Sequence, residues 1–240
     1  MEIQRATLDT CHTATGLVVV IDVLRAFTTS AFLFQAGAEE IILVSGVDEA
    51  FQLRKEIPDS IIVGEVDGIR VPGFELGNSP SKIETLGRIG SRVILRTTAG
   101  TQGVILARKA STILTTALTN VTATVRYIQN LAPSTVTLIQ TGLFEEKGWG
   151  DEDVACADVI ASLLRGRSID WDSIHHRVCS SKAGSHYDGT REDFPTRDLE
   201  LVLQQDIFNF AMVVEKKNAL HRMRCENVER GKQKLSKFDR

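Results

Sequence analysis

Carboxylates, arginine, hydroxyls and glycines recur together at four places in this chain, a combination suited to holding a phosphoryl group beside a hard cation. The first is Asp22-Val23-Leu24-Arg25-Ala26-Phe27-Thr28-Thr29. Asp22 can ligate a divalent cation or act as a base, and Arg25 offers a planar fork of donors suited to phosphate or sulfonate. An aspartate here also serves as a plain helix cap. The second runs Gly64-Glu65-Val66-Asp67-Gly68-Ile69-Arg70, then Gly73-Phe74-Glu75-Leu76-Gly77-Asn78-Ser79-Pro80. So many glycines are costly to order, and Asn78-Ser79-Pro80 reads as a helix start with proline at the first helical position. The N–H groups of such a start bind anions, so capping and phosphate binding share one geometry. The third is Arg96-Thr97-Thr98-Ala99-Gly100-Thr101. Its hydroxyls and glycine after a strand suit an oxyanion cradle, or an ordinary turn, but not a Walker loop. The fourth, Glu145 to Ala157, contains Asp151-Glu152-Asp153. Acids at a helix start favour its dipole, and beside glycines they equally supply hard oxygen ligands for magnesium.

These groups act together only if the fold gathers them. Leu17–Asp22 is an unbroken apolar run ending in a charge, the pattern of a strand buried on both faces. A helix over Arg25–Ala36 follows, stopped by Gly37. Strands at Glu40–Val44, Ile61–Gly64, Arg92–Arg96, Thr112–Thr116 and Thr135–Thr141 alternate with helices at Asp48–Lys55, Asn120–Asn130 and Asp151–Arg165. This rhythm implies βαβ units and a three-layer αβα fold with a largely parallel or mixed sheet. In such sheets ligands bind outside the carboxyl ends of the strands, where all four clusters fall. After Gly166 the rhythm changes to a C-terminal α+β extension. It comprises a helix over Ser168–Ser181, a surface loop over Ala183–Arg197 and a helix over Asp198–Gln205. Phe210–Glu215 and Ala219–Cys225 then pair as a hairpin across Lys217-Asn218, with a helix as the alternative for the second segment. We expect one α/β domain over 1–240, or two lobes at about 1–110 and 111–225, with a polar tail over 226–240.

Composition excludes several function classes. The 240 residues are 42% hydrophobic and 25% charged, ordinary globular values that rule out collagenous and wholly disordered chains. A net charge of −3 gives no reason to expect nucleic acid. It conceals a +5 end, with nine Lys/Arg against four Asp/Glu over 215–240, read as solvated. No apolar run reaches the roughly eighteen residues that a membrane helix needs, and the polar start, Met1–Gly16, is no secretory signal. Cys11, Cys156, Cys179 and Cys225 form no CxxC pair, so neither a disulfide framework nor a zinc knuckle is indicated. A cytoplasmic protein is expected, with a homo-oligomer left open.

Taken in this order, VVVIDVLRAFTT (Val18–Thr29), GEVDGIRVPGFELGNSP (Gly64–Pro80), RTTAGT (Arg96–Thr101), EDVACA (Glu152–Ala157) and DLELVLQQDIFNFAM (Asp198–Met212) resemble the 2-phosphosulfolactate phosphatase family. The resemblance covers nearly the whole chain. It implies an α/β fold and a Mg²⁺-dependent hydrolase of a small anionic phosphomonoester, a sulfonated three-carbon acid, in coenzyme M biosynthesis. Carried onto this sequence, it implies Asp22, Arg25, Glu65 and Glu152 as catalytic. Asn78, Ser79, Thr97, Thr98, Gly100 and Thr101 would bind phosphate, and Asp22, Glu65 and Asp153 the metal. Many members carry Gly-Glu-Arg-Gly-Gly where this chain has Gly64-Glu65-Val66-Asp67-Gly68. The chain also has Ala99 where TTNGT has Asn, and Asp158 where Gly is usual. The missing arginine bears on how a sulfonated substrate is held, with Arg70 as the candidate substitute.

Rival chemistries make other demands on the sequence. No cysteine has an arginine six positions on, as a cysteine phosphatase requires, and Leu24 stands where a haloacid-dehalogenase-like enzyme has a second aspartate. An isochorismatase-like hydrolase would pair Asp22 with Cys156 as nucleophile, against a reading of Cys156 as a small buried hydrophobe. A non-catalytic phosphometabolite-binding protein would use the same glycine loops.

Overall fold

The computed structural model of the chain describes residues 1–142 and 149–228; Glu145 and Glu146 of the fourth cluster, and the tail after 228, lie outside the described residues. The first apolar run forms β2 (Gly16–Ile21), and its two faces feed two cores. Val18 and Val20 pack with Phe27, Leu33 and Val104, whereas Leu17, Val19 and Ile21 pack with Val121, Ile128 and Val159. A strand covered on both sides has no solvent face, so its sequence shows no polar alternation.

In chain order the elements are β1 (Glu2–Thr7), β2, α1 (Ala26–Gln35), β3 (Glu40–Val44), α2 (Val47–Glu56), β4 (Ser60–Val66), β5 (Ile69–Arg70), α3 (Pro80–Leu86), β6 (Arg92–Arg96), α4 (Gly100–Leu106), β7 (Ala110–Thr116), α5 (Val121–Leu131), β8 (Thr135–Gln140), α6 (Asp151–Leu164), α7 (Trp171–Ser180), α8 (Thr196–Val202), β9 (Phe210–Lys217) and β10 (Leu220–Asn227). The ten strands lie in the order β1-β8-β2-β7-β9-β10-β3-β6-β4-β5. Two parallel blocks, β1-β8-β2-β7 and β3-β6-β4, flank the β9–β10 hairpin. The hairpin sits at the middle of the sheet rather than beyond its edge. Its turn residues Asn218 and Ala219 both have positive φ, 52° and 63°, as a tight two-residue hairpin turn demands.

Three successive antiparallel pairings, β7/β9, β9/β10 and β10/β3, make the two blocks run in opposite senses. In a flat sheet their carboxyl ends would lie at opposite edges. Five strand-to-strand steps separate β2 from β6, and at about 20–25° of twist per step they accumulate roughly 100° or more. The sheet wraps around a core shared by both blocks, with Val18 and Val20 from one and Ile41, Leu43, Val93 and Leu95 from the other. The carboxyl ends of β2, β8, β4 and β6 thereby meet. A Cβ placed on Gly100, after β6, would lie 2.7 Å from Asp22 Oδ2, after β2.

Two features differ from the sequence reading. Strand β1 was not anticipated. It is an edge strand paired only with β8, half of its residues are exposed and none is fully buried, and it therefore lacks an apolar run. The segment expected as a surface loop, Ala183–Arg197, instead buries Tyr187 and Phe194 over the converged strand ends. No helix among the described residues is long and apolar enough to cross a membrane.

Candidate active site

Three consecutive acids at the start of α6 go three ways, because successive helix side chains point about 100° apart. Asp151 turns outward to Arg177, 2.6 Å away. Asp153 turns into the sheet, where Oδ1 accepts the Val23 N–H at 2.8 Å and Oδ2 the Gly142 N–H at 2.7 Å. It thus staples the end of β2 to the end of β8. Glu152 lines a cavity between these elements and is almost wholly buried, with Oε2 lacking any hydrogen-bond partner. Burial above all pushes the Glu152 carboxyl up to about 7; its own amide and the Ser181 hydroxyl oppose this, while Asp22 and Asp151 add to it. Asp153 is also held well above the carboxylate range, by burial first and then by Glu152 and Asp22.

Asp22 stands at the carboxyl end of β2 and caps α1, its Oδ1 accepting the Ala26 N–H at 2.8 Å. Gly100 lets α4 dock against it, since a Cβ there would strike both Asp22 Oδ2 and the Ala26 side chain at 2.7 Å. Thr141 Oγ1 lies 3.4 Å from Asp22 Oδ2. Burial raises the Asp22 carboxyl to about 6; the Ala26 N–H opposes the rise and the Glu65 charge reinforces it.

Glu65, on β4, is held quite differently. Oε1 accepts the Thr98 N–H at 2.6 Å, and Oε2 accepts the Gly68 N–H at 2.6 Å and the Thr98 hydroxyl at 2.9 Å. Gly64 makes this close approach of β4 to β6 feasible, because at φ +144° a Cβ would lie 1.9 Å from the Arg96 carbonyl oxygen. Asn78 also faces this cavity, with its buried Oδ1 unpartnered.

Arg25 is buried in the wall. Nη1 donates to Asp198 Oδ2 and to the Asp193 carbonyl, both at 2.7 Å, and Nη2 to the Gly68 carbonyl at 3.3 Å. Its guanidinium lies 5.0 Å from the Phe194 ring centre and 5.4 Å from that of Tyr187. A roof formed by Trp149, His186, Tyr187 and Phe194 interlocks edge to face, with centroids 5.2–5.6 Å apart. Gly68, at φ +82°, lets Phe194 close down, as a Cβ would lie 2.4 Å from its ring.

Of the residues expected from sequence, Asp22, Arg25, Glu65, Asn78, Thr98 and Glu152 line this single cavity of about 500 Å³. Ser79, Thr97, Gly100, Thr101 and Asp153 stand behind it. Ser79 donates to Asp198 Oδ1 at 2.8 Å, and Thr97 and Thr101 bond to each other across the turn. These side chains bond within the wall and are not part of the cavity lining. Arg70 donates to the Phe74 carbonyl and is not part of the lining. Among the described residues no three His, Cys, Asp or Glu side chains form a ready-made metal cluster. Cys156 is fully buried in the second core, its thiol pushed well up by burial and then by Asp153 and Asp206, so it offers no nucleophile to the cavity.

Sequence reasoning missed Asp198 and the roof. Asp198 is fully buried and gathers Arg25, Ser79 and the Ser81 N–H. An acid in the first turn of a helix after Pro195 was the available signal. His186, Tyr187 and Phe194 of the roof gave none, since they lie in a stretch composed like a loop. Asp158, a departure from the family pattern, pairs on the surface with Arg5 and Arg177 at 2.6 and 2.8 Å.

Comparison with known proteins shows the family. The chain is 30% identical over 199 residues, covering 82% of this chain and 86% of the relative, to a probable 2-phosphosulfolactate phosphatase of Bacillus subtilis (strain 168). It is 43% identical over 147 residues to a protein of that name from Carboxydothermus hydrogenoformans, covering 61% of this chain and 60% of the relative. The corresponding Synechocystis protein is 38% identical over 167 residues, with 69% of this chain and 68% of the relative covered. The profile of the family described as 2-phosphosulpholactate phosphatase matches residues 4–217, a span that takes in every cavity residue named above, and the chain belongs to that family.

Proposed function

We propose that the protein is a magnesium-assisted phosphatase hydrolysing 2-phosphosulfolactate to sulfolactate and phosphate, acting in the cytoplasm on the route to coenzyme M. The observation that carries this reading is Glu152. It keeps a buried, unpartnered carboxylate oxygen in the cavity that Asp22 and Arg25 also line, with its carboxyl held up to about 7. A base poised near neutrality is what water activation requires.

A divalent cation suits the donor set. Asp22 is desolvated and repelled by a neighbouring acid, and Asn78 Oδ1 is a buried oxygen without a partner. Magnesium takes hard oxygens, commonly one or two carboxylates, and keeps its remaining positions for substrate and water. Asp22 and Asn78 would hold it. Glu65 and Asp153 spend their oxygens on N–H and hydroxyl donors, Glu65 bracing the cavity wall and Asp153 standing behind it. When bound, the cation supplies neutralisation of charge on the phosphoryl oxygens.

The chain does the rest. Arg25 keeps a fixed positive charge in the wall, oriented by Asp198, against the charge that spreads over the phosphoryl oxygens. Glu152 accepts the proton of the attacking water as the water oxygen bonds to phosphorus; the ester bond breaks with its electron pair passing to the substrate oxygen, which takes up a proton and departs as the product hydroxyl. The aromatic roof excludes bulk solvent, which strengthens each of these interactions.

A screen of small phosphomonoesters that includes 2-phosphosulfolactate and phosphoglycolate tests the reading. Phosphate release should depend on Mg²⁺, be abolished by EDTA, survive iodoacetamide, and show its highest kcat/KM with 2-phosphosulfolactate. Thermal stabilisation by these esters with no phosphate released would replace the enzyme by a binding protein.

A further inference from the structure

The cavity is lined by two arginines of contrary standing. Arg25 is buried and spends its donors on Asp198 and two carbonyls. Arg191 is exposed at the roof and makes no salt bridge or side-chain hydrogen bond with any described residue. Its guanidinium lies 4.2 Å from the centre of the Phe194 ring. That ring is itself fixed edge-on by His186 and Tyr187, at 5.3 and 5.6 Å. An arginine seated on an aromatic face is oriented while its planar fork of donors remains free. Burial and then the Arg191 charge lower the pKa of His186, with Asp188 opposing and Lys182 adding to this, so the imidazole brings no positive charge of its own beside Arg191 at neutral pH. Asp22, Glu65, Asp67 and Glu152 also line the cavity. A substrate with a second anionic group would be repelled by these acids unless a free cation met it.

We propose that Arg191, seated on Phe194, binds the anionic group that the substrate carries away from its phosphoryl group, a sulfonate or a carboxylate, and thereby sets specificity. This rests on the phosphatase reading of the cavity. A charge-assisted contact of this kind is worth about ten- to a hundredfold.

The test compares wild type, Arg191→Gln and Arg191→Lys on three substrates with Mg²⁺ present. These are 2-phosphosulfolactate, 2-phospholactate (no sulfonate) and p-nitrophenyl phosphate (neither group). In Arg191→Gln the kcat/KM preference for 2-phosphosulfolactate over p-nitrophenyl phosphate should fall about tenfold or more, chiefly through KM, with partial recovery in Arg191→Lys. If 2-phospholactate keeps its standing against p-nitrophenyl phosphate, the group bound is the sulfonate; if it loses as much, the carboxylate. An unchanged preference, or an equal loss on all three, overturns the proposal. Calorimetric binding of sulfolactate reads the same contact without turnover. If wild type releases no phosphate, the phosphatase reading fails, yet a tenfold weaker sulfolactate affinity in Arg191→Gln still upholds the contact and an unchanged affinity overturns it.

Discussion

Two buried glutamates line the same cavity and have opposite surroundings. Glu65 meets three donors within 2.9 Å and both of its oxygens are occupied. Glu152 has one oxygen with no partner at all, and its carboxyl is pushed up to about 7. The first holds the β4–β6 wall together; the second is paid for by the fold and kept ready. A buried carboxylate with both oxygens supplied with donors braces the fold, whereas one with an oxygen left unpartnered is a candidate for chemistry. Asp153 and Asp22 differ in position instead, since both accept backbone amides but only Asp22 lines the cavity.

The division can be broken by substitution. Asp22→Asn keeps the acceptor for the Ala26 N–H and removes the charge, so it should abolish Mg²⁺-dependent phosphate release while circular dichroism stays native. Full activity in this variant would remove Asp22 from the reactive side. Glu152→Gln should lower kcat/KM by about 10²–10⁴-fold, the usual contribution of a general base. Wild-type activity should rise as Glu152 loses its proton through about pH 7, and that limb should be missing from the variant's pH profile.

The remaining effects concern stability. Asp198→Ala leaves the Arg25 charge buried and unpaired, a loss of about 3–5 kcal/mol that urea unfolding would register; a change under 1 kcal/mol would mean that Arg25 finds another partner. The two glutamates should then respond with opposite signs. Glu65→Gln sets an amide among N–H and hydroxyl donors and should destabilise by about 1–3 kcal/mol. Glu152→Gln should stabilise the metal-free protein at pH 8. The sign follows from proton binding, because the folded state holds the Glu152 proton up to about pH 7 while the unfolded chain releases it near 4.5. Stability from this group is therefore present below about pH 4.5 and lost as pH rises through 7. At about 1.4 kcal/mol per pH unit the difference reaches about 3 kcal/mol. Melting the metal-free wild type at pH 5 and pH 8 should show the higher Tm at pH 5, with the gap narrowed in Glu152→Gln.

Much of this was legible before any fold was known. Asp22, Glu65 and Thr98 were found because a charge or hydroxyl directly after an apolar run must lie at a strand end. Asp151, Glu152 and Asp153 could not be told apart in sequence, since their separate fates depend on the phase of α6 against its neighbours. Ser79, Thr97 and Thr101 have the composition of a phosphate cradle, but their hydroxyls meet Asp198 and each other. The roof was hidden because Tyr187 and Phe194 are isolated aromatics in a Gly, Ser, Asp and Arg setting, and only contact with Arg25 reveals what they cover.

The sequence by itself determined the alternation of strands and helices, because apolar periodicity is local and follows from the need to bury each face. It also determined which residue types stand at the strand ends, and with them the kind of chemistry available. Only the tertiary structure decided that the last strands of the chain enter the middle of the sheet, because strand order depends on pairings between distant segments. That insertion reverses one parallel block against the other and wraps the sheet around a common core, bringing Asp22 and Glu65 to one cavity. Which acids line that cavity and which stand behind it follows from the phase and packing of the elements that carry them.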